Sequence, residues 1–256
     1  MTIKSSLYFM FNGINSQDMG ILNVNVSQGM YEEPFLASRT IHEVKIRGND
    51  KPYYQYTELS PIEFSVSFAL QDSFDQTKLR QIARWLNVSY FCPLVFSDDP
   101  DKIYFAMPVN DSSLIHTGTN GYINLKFRTN APYAYSPSYT QTYDFSSNVA
   151  GGTLFQFTNN GDLSVFPKLY IQKVGDGDIS IFNYSNGGIE FKFTGLLNGE
   201  NLFVDSTRQY ISTDQNNLYR YSNFNNNWLE LLYGVNNLNV VGNCKLKFVW
   251  EYRILQ

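Results

Sequence analysis

The chain has 256 residues, 43% of them hydrophobic and only 16% charged, a balance that excludes a disordered chain and can fill one large core or two ordinary ones. Its formal net charge of −4 is spread over both halves, which excludes the basic face that nucleic-acid binding demands. Aromatic residues reach 16%, with 20 Phe and 19 Tyr, side chains suited to pleated sheets and subunit interfaces.

In chain order, the apolar run 7–11 reads as a first strand stopped by the turn pair Asn12-Gly13. Residues 20–26 alternate as a second strand, with Ile21, Val24 and Val26 near a half-buried surface and an irregularity at Leu22. Ile41, Val44 and Ile46 are spaced for a strand, which the loop chemistry of Gly48-Asn49-Asp50-Lys51-Pro52 interrupts. Residues 62–70 alternate strictly, placing Ile62, Phe64, Val66, Phe68 and Leu70 on one face. The period then changes. Behind Asp75 as N-cap, Leu79, Ile82, Ala83 and Leu86 fall on one face and predict an amphipathic helix over 76–87. Strands follow at 90–96, 103–109 and 122–127, with a break at Ser97-Asp98-Asp99-Pro100-Asp101.

The segment 131–137 holds two prolines and reads as a domain boundary, dividing the chain into 1–135 and 136–256. Beyond it, strand candidates at 155–157, 168–171, 179–182, 189–193, 201–204 and 245–249 alternate with Asn and Gly clusters, the pattern of an antiparallel sandwich. In the Asn-rich stretch 216–239, apolar residues recur at strand and loop spacing. Its asparagines therefore read as turn and left-handed positions rather than as a low-complexity tract.

Groups able to do chemistry are sparse. His42 and His116 sit by polar or loop segments with no Cys, Asp or Glu at ligand spacing. The acids of 98–101 and those of Gly175-Asp176-Gly177-Asp178 read as turns rather than cation loops. Glu190 and Glu230 are the conceivable carboxylate pair for glycoside hydrolysis, although spacing alone does not bring them together. Gly151-Gly152 and Gly187-Gly188 read as hairpin turns. Trp228 is the candidate sugar platform, with core packing beside Leu229, Leu231 and Leu232 as the alternative. Cys92 and Cys244, in different predicted domains, read as buried reduced thiols. A secretory signal or membrane-spanning helix is not expected, and the residues assign no catalytic, cofactor-binding or metal-binding position.

Several segments together resemble the siphophage distal tail protein family. They are Phe11-Asn12-Gly13 with Ser16 and Met19-Gly20-Ile21, then Arg39-Thr40-Ile41, and above all Leu79-Arg80-Gln81-Ile82 and Trp85-Leu86-Asn87 followed by Pro93-Leu94-Val95-Phe96-Ser97-Asp98-Asp99-Pro100. The second half adds Phe166-Pro167-Lys168-Leu169-Tyr170-Ile171, Leu202-Phe203-Val204-Asp205 and Leu231-Leu232-Tyr233-Gly234-Val235-Asn236. The resemblance implies an all-β fold with one helix: a tail-tube-like β-sandwich followed by a galectin-like β-sandwich. It implies a non-enzymatic phage tail protein that forms a homo-hexameric ring at the distal end of the virion tail, after synthesis in the host cytoplasm. Such a ring joins the tail tube protein to a tail-associated tip protein and, in some phages, holds receptor-binding proteins. Neither cofactor, nucleic acid nor membrane is implied. The loop 48–56 would be a projecting arm that grips a neighbour.

The other function class compatible with the sequence is a carbohydrate-binding, lectin-like protein using its second sandwich. Family members with inserted carbohydrate-binding modules are longer than this chain. Tight binding of host wall glycan, at micromolar affinity or better, is therefore not expected.

Overall fold

The computed structural model describes residues 3–24, 30–72 and 75–255, the side chains at 110 and 111 excepted. They form an all-β protein with one α-helix, divided into a unit of Met1–Tyr135 with Leu255–Gln256 and a unit of Ser136–Ile254.

The first unit begins with β1 (Phe9–Phe11) and β2 (Ile14–Asn15) around Asn12-Gly13, whose φ angles of 50° and 76° are the left-handed pair that a tight two-residue hairpin turn requires. In β3 (Ile21–Val24) the inward residues are Ile21 and Asn23, not Ile21 and Val24 as the alternation suggested. The Asn23 amide is satisfied in the interior because it donates to the carbonyls of Ile3 (2.8 Å) and Ser6 (2.9 Å). Asn25 and Val26 lie outside the described residues. There follow β4 (Arg39–Val44), β5 (Tyr53–Leu59), β6 (Glu63–Leu70), α1 (Gln76–Leu86), β7 (Cys92–Phe96), β8 (Asp99–His116), β9 (Gly121–Thr129) and β10 (Ala134–Tyr135).

The main path of one sheet runs β2-β1-β7-β8-β9-β6-β3, and β10 joins it off that path by pairing Tyr135 with Ile103 of β8. Phe9 of β1 stacks on Phe68 of β6 at 4.5 Å although three strands separate them, so the sheet bends back on itself into two layers around its core. All five apolar residues of the 62–70 alternation are buried. Helix α1 is capped by the Asp75 carboxylate, which accepts from the Lys78 N–H (2.8 Å). Its inward face is rotated from the expected one: Ile82, Leu86 and Trp85 are buried while Ala83 is exposed. Trp85 wins because its ring stacks on Phe9 (5.7 Å) and its indole N–H donates to the Phe11 carbonyl (2.8 Å).

The expected break at 97–101 is a tight turn at Ser97-Asp98, after which β8 starts at once. Phe96 pairs with Asp99 and Val95 with Ile103, so residues 100–102 bulge out of the ladder, where Pro100 loses nothing by lacking an N–H. β8 also runs seven residues past Val109, across a register shift, to pair with β9 as far as His116 opposite Gly121.

The second unit is a sandwich. Its strands are β11 (Tyr139–Phe145), β12 (Thr153–Asn159), β13 (Lys168–Lys173), β14 (Gly177–Asn183), β15 (Ile189–Leu196), β16 (Asn201–Asp205), β17 (Tyr210–Thr213), β18 (Gly234–Val241) and β19 (Cys244–Trp250). One sheet has the order β11-β19-β13-β16-β17 and the other β12-β18-β14-β15, with a shared core that includes Leu169, Ile171, Ile179, Phe191, Leu202, Leu238 and Phe248. Gly187-Gly188 closes the β14–β15 hairpin, both residues left-handed. Gly151-Gly152 instead turns the corner between the two sheets. A Cβ on Gly152 would meet the Val240 carbonyl at 2.7 Å.

The asparagines earn their place one by one. Asn217 and Asn226 take left-handed φ angles of 62° and 63°, and Asn225 and Asn227 both donate to the Glu190 carbonyl (2.7 and 2.9 Å). Asn236 is fully buried, accepting from Leu232 N–H (2.8 Å) and the Asn183 amide (2.9 Å) while donating to Leu232 O (2.8 Å). Elsewhere in the unit, Glu200 (0% exposed) receives a bidentate pair of bonds from Arg220 (2.8 and 2.6 Å), with Thr213 Oγ1 (2.7 Å) and Leu197 N–H (3.0 Å) completing its shell. Burial would raise its carboxyl pKa. Those four donors outweigh burial and hold it below the ordinary carboxylate range.

Candidate assembly surface

Strands β4 and β5 pair only with each other, from Arg39 opposite Leu59 to Val44 opposite Tyr53, around the connecting residues 45–52. Every residue of β5 is exposed, and in β4 only His42 is partly covered. Antiparallel alternation gives the hairpin two faces, and both expose apolar side chains beside charged ones. Ile41 and Tyr54 lie on one; Val44, Tyr53 and Tyr56 lie on the other, where the His42 ring stacks on Tyr56 (4.3 Å) and its Nε2 meets Glu58 (3.2 Å). A bulge between His42 and Glu43 twists the ribbon midway.

Two strands alone are marginal in water, and an exposed apolar ribbon of this kind is the mark of a surface meant to be covered. Tyrosine suits that task because its ring brings area with few rotatable bonds and its hydroxyl tolerates solvent before assembly. The resemblance placed a projecting arm at 48–56. Residues 53–56 belong instead to β5, and the exposed ribbon spans 39–59. The signal was present in the apolar spacing of Ile41, Val44 and Ile46, whose partner strand 53–59 was hidden by the polar residues Gln55, Thr57 and Glu58 among its tyrosines and Leu59.

The chemical candidates are dispersed. His116 accepts from Gly118 N–H (3.1 Å) and shapes the β8–β9 turn. Asp176 and Asp178 accept from the backbone N–H groups of Asn198 (2.7 Å) and Gly195 (3.0 Å), so they hold turns. Glu190 accepts from Ser180 (2.6 Å) and Glu230 from Asn186 (3.2 Å), separate donors with separate structural tasks. Trp228 packs edge-on against Phe224 (4.7 Å) at the margin of the core. Among the described residues no three His, Cys, Asp or Glu side chains gather as a metal site, and no helix is long and apolar enough to cross a membrane. Cys92 and Cys244 are both buried and free.

Two family profiles divide the sequence between them. One, described as a phage tail protein N-terminal domain, matches residues 4–131, and the other, a phage tail C-terminal domain, matches residues 133–250. The SPbeta prophage-derived uncharacterized protein YomH of Bacillus subtilis (strain 168) is 35% identical over 255 residues, covering 99% of this chain and all of that one. Among solved structures, the SPP1 Dit protein, described as a paradigm of the hub adsorption apparatus in phages infecting Gram-positive bacteria, superposes with a TM-score of 0.71 at 16% identity. The match covers 96% of this chain and 98% of that chain.

Proposed function

The chain belongs to the phage tail protein family, a structural rather than enzymatic one, and from that premise we propose that it is the distal tail hub of a long-tailed phage. In this reading residues 1–135 form the ring, residues 136–256 are a galectin-like sandwich, and six copies close around the tail axis. The ring joins the tail tube protein above to a tail-associated tip protein below, with receptor-binding proteins as further partners. The fold shared with SPP1 Dit supports the location.

The observation that carries the proposal is the 39–59 ribbon, which exposes apolar residues on both faces and finds no cover among the described residues of its own unit. A ring needs heterologous contacts, one patch on each copy fitting a different patch on the next. A two-faced ribbon supplies one half of such a contact, gripping a neighbour on either side.

Light scattering on purified protein over a range of concentration and salt, with negative-stain images of the same samples, tests this. The expected result is a discrete hexamer with a central hole. A chain that stays monomeric throughout, even with its tail tube protein and tip protein added, defeats the ring.

A further inference from the structure

The outer face of the five-stranded sheet in the second unit holds a groove of about 760 Å³, built by all five strands. Cross-strand register sets its contents in rows. Lys247, Tyr170, Phe203 and Ser212 lie side by side across β19, β13, β16 and β17. Beside them run Asp144, Lys245, Gln172 and Asn201, with Asp214 bonded to the Asn201 amide (2.7 Å).

The core does not use these side chains. It takes the opposite phase of the same strands, Leu169 and Ile171 in β13 and Leu202 and Val204 in β16, all essentially fully buried. On the wet face, where alternation calls for polar residues, the Tyr170 and Phe203 rings instead lie 4.9 Å apart, with Tyr210 6.3 Å beyond Phe203. Lys247 Nζ rests 5.0 Å above the Tyr170 ring, movable cover on an otherwise open surface.

An aromatic strip flanked by amides, hydroxyls and carboxylates asks for a ligand with both apolar faces and many hydroxyls. Charge narrows the class. Lys245 and Lys247 are balanced by Asp144 and Asp214, and Lys245 already lies 3.8 Å from Asp144, so a polyanion gains little here. A peptide strand would seek a sheet edge, where backbone donors and acceptors are open, and this groove lies on a face. Five strands about 4.8 Å apart give a track on the order of 20 Å, the scale of an oligosaccharide rather than a single sugar.

We propose that this groove binds an uncharged pyranose chain, with Tyr170 and Phe203 as the stacking platform and Gln172 and Asn201 reading hydroxyls. The reading goes beyond the hub role and does not depend on ring formation. The groove is open and shallow, so each site binds weakly, in keeping with the absence of tight wall binding expected from the sequence.

The test is saturation-transfer NMR on the full chain with cellotetraose, maltotetraose and chitotetraose, and with a glycerol phosphate polymer as the anionic control. Transfer to at least one neutral tetrasaccharide is expected, with an affinity that Tyr170→Ala lowers tenfold or more and Gln172→Ala severalfold. Leu154→Ala, exposed on the other sheet, should leave it unchanged. All three variants are at exposed or partly exposed positions, and unchanged thermal unfolding would confirm their folds. Silence with all three neutral probes, preference for the phosphate polymer, or equal binding by Tyr170→Ala would each overturn the proposal.

Discussion

Two antiparallel pairs in the first unit are built from nearly the same alphabet and end in opposite environments. β6 pairs with β9 and buries Phe64, Val66, Phe68 and Leu70, whereas β4 pairs with β5 and leaves Ile41, Val44, Tyr53, Tyr54 and Tyr56 in solvent. The difference lies in what stands opposite. β6 has a neighbour on each side and a layer above it, so one face only is wet; the ribbon has neither. Alternation thus says which side chains share a face, and the fold decides whether that face is core or contact.

The sharpest way to break the comparison is to remove the ribbon. Replacing residues 39–59 by a short Gly-Ser linker should abolish the proposed ring, giving monomer mass in light scattering, while circular dichroism keeps the unfolding transition of the rest. If unfolding collapses as well, the ribbon belongs to the core and the distinction fails.

Next come core and buried-charge losses. Phe68→Ala, at a site 1% exposed, should cost about 3–5 kcal/mol in denaturant unfolding. Arg220→Ala should cost about 3–5 kcal/mol, because it strands the Glu200 carboxylate in the interior. The same pair sets an acid limit. Glu200 has a depressed pKa in the fold, so it binds fewer protons than in the unfolded chain. Its contribution is full above the unfolded value of about 4.3 and fades as pH falls through the lower folded value. Unfolding midpoints measured from pH 6 down to 3 should fall less steeply in a Glu200→Gln, Arg220→Met double variant than in the wild type.

Smaller still is the effect of a ribbon residue on the monomer. Ile41→Ser should change unfolding free energy by no more than about 0.5 kcal/mol while weakening the proposed ring. At the quiet end lies Cys244, whose thiol is pushed up to about 12 by burial, against a lowering pull from Lys173. Iodoacetamide at pH 8 should leave it unmodified in native protein and label it only after unfolding, as mass spectrometry would show.

What could be read from the chain followed packing geometry. The 62–70 strand, the Asp75-capped helix, the Asn12-Gly13 hairpin and six second-half strands are local patterns in which every residue votes alike. β11, β17 and β18 escaped because Thr, Gln and Asn fill positions where apolar residues would announce a strand. In β18 the buried Asn236 is satisfied by Leu232 four residues back and by the Asn183 amide from far along the chain. Asn23 turned inward for the same reason. The Tyr170 groove was beyond linear reading, since it gathers residues from five strands. Only the outward phase of Lys168, Tyr170 and Gln172 in β13 hinted that one aromatic faced water.

The two-faced ribbon has a thermal consequence. Covering Ile41, Val44, Tyr53 and Tyr54 against a neighbour removes apolar surface from water, a process with a negative heat-capacity change whose driving force fades on cooling. A hub held together in this way should tighten as temperature rises toward the growth range of its host, and loosen in the cold.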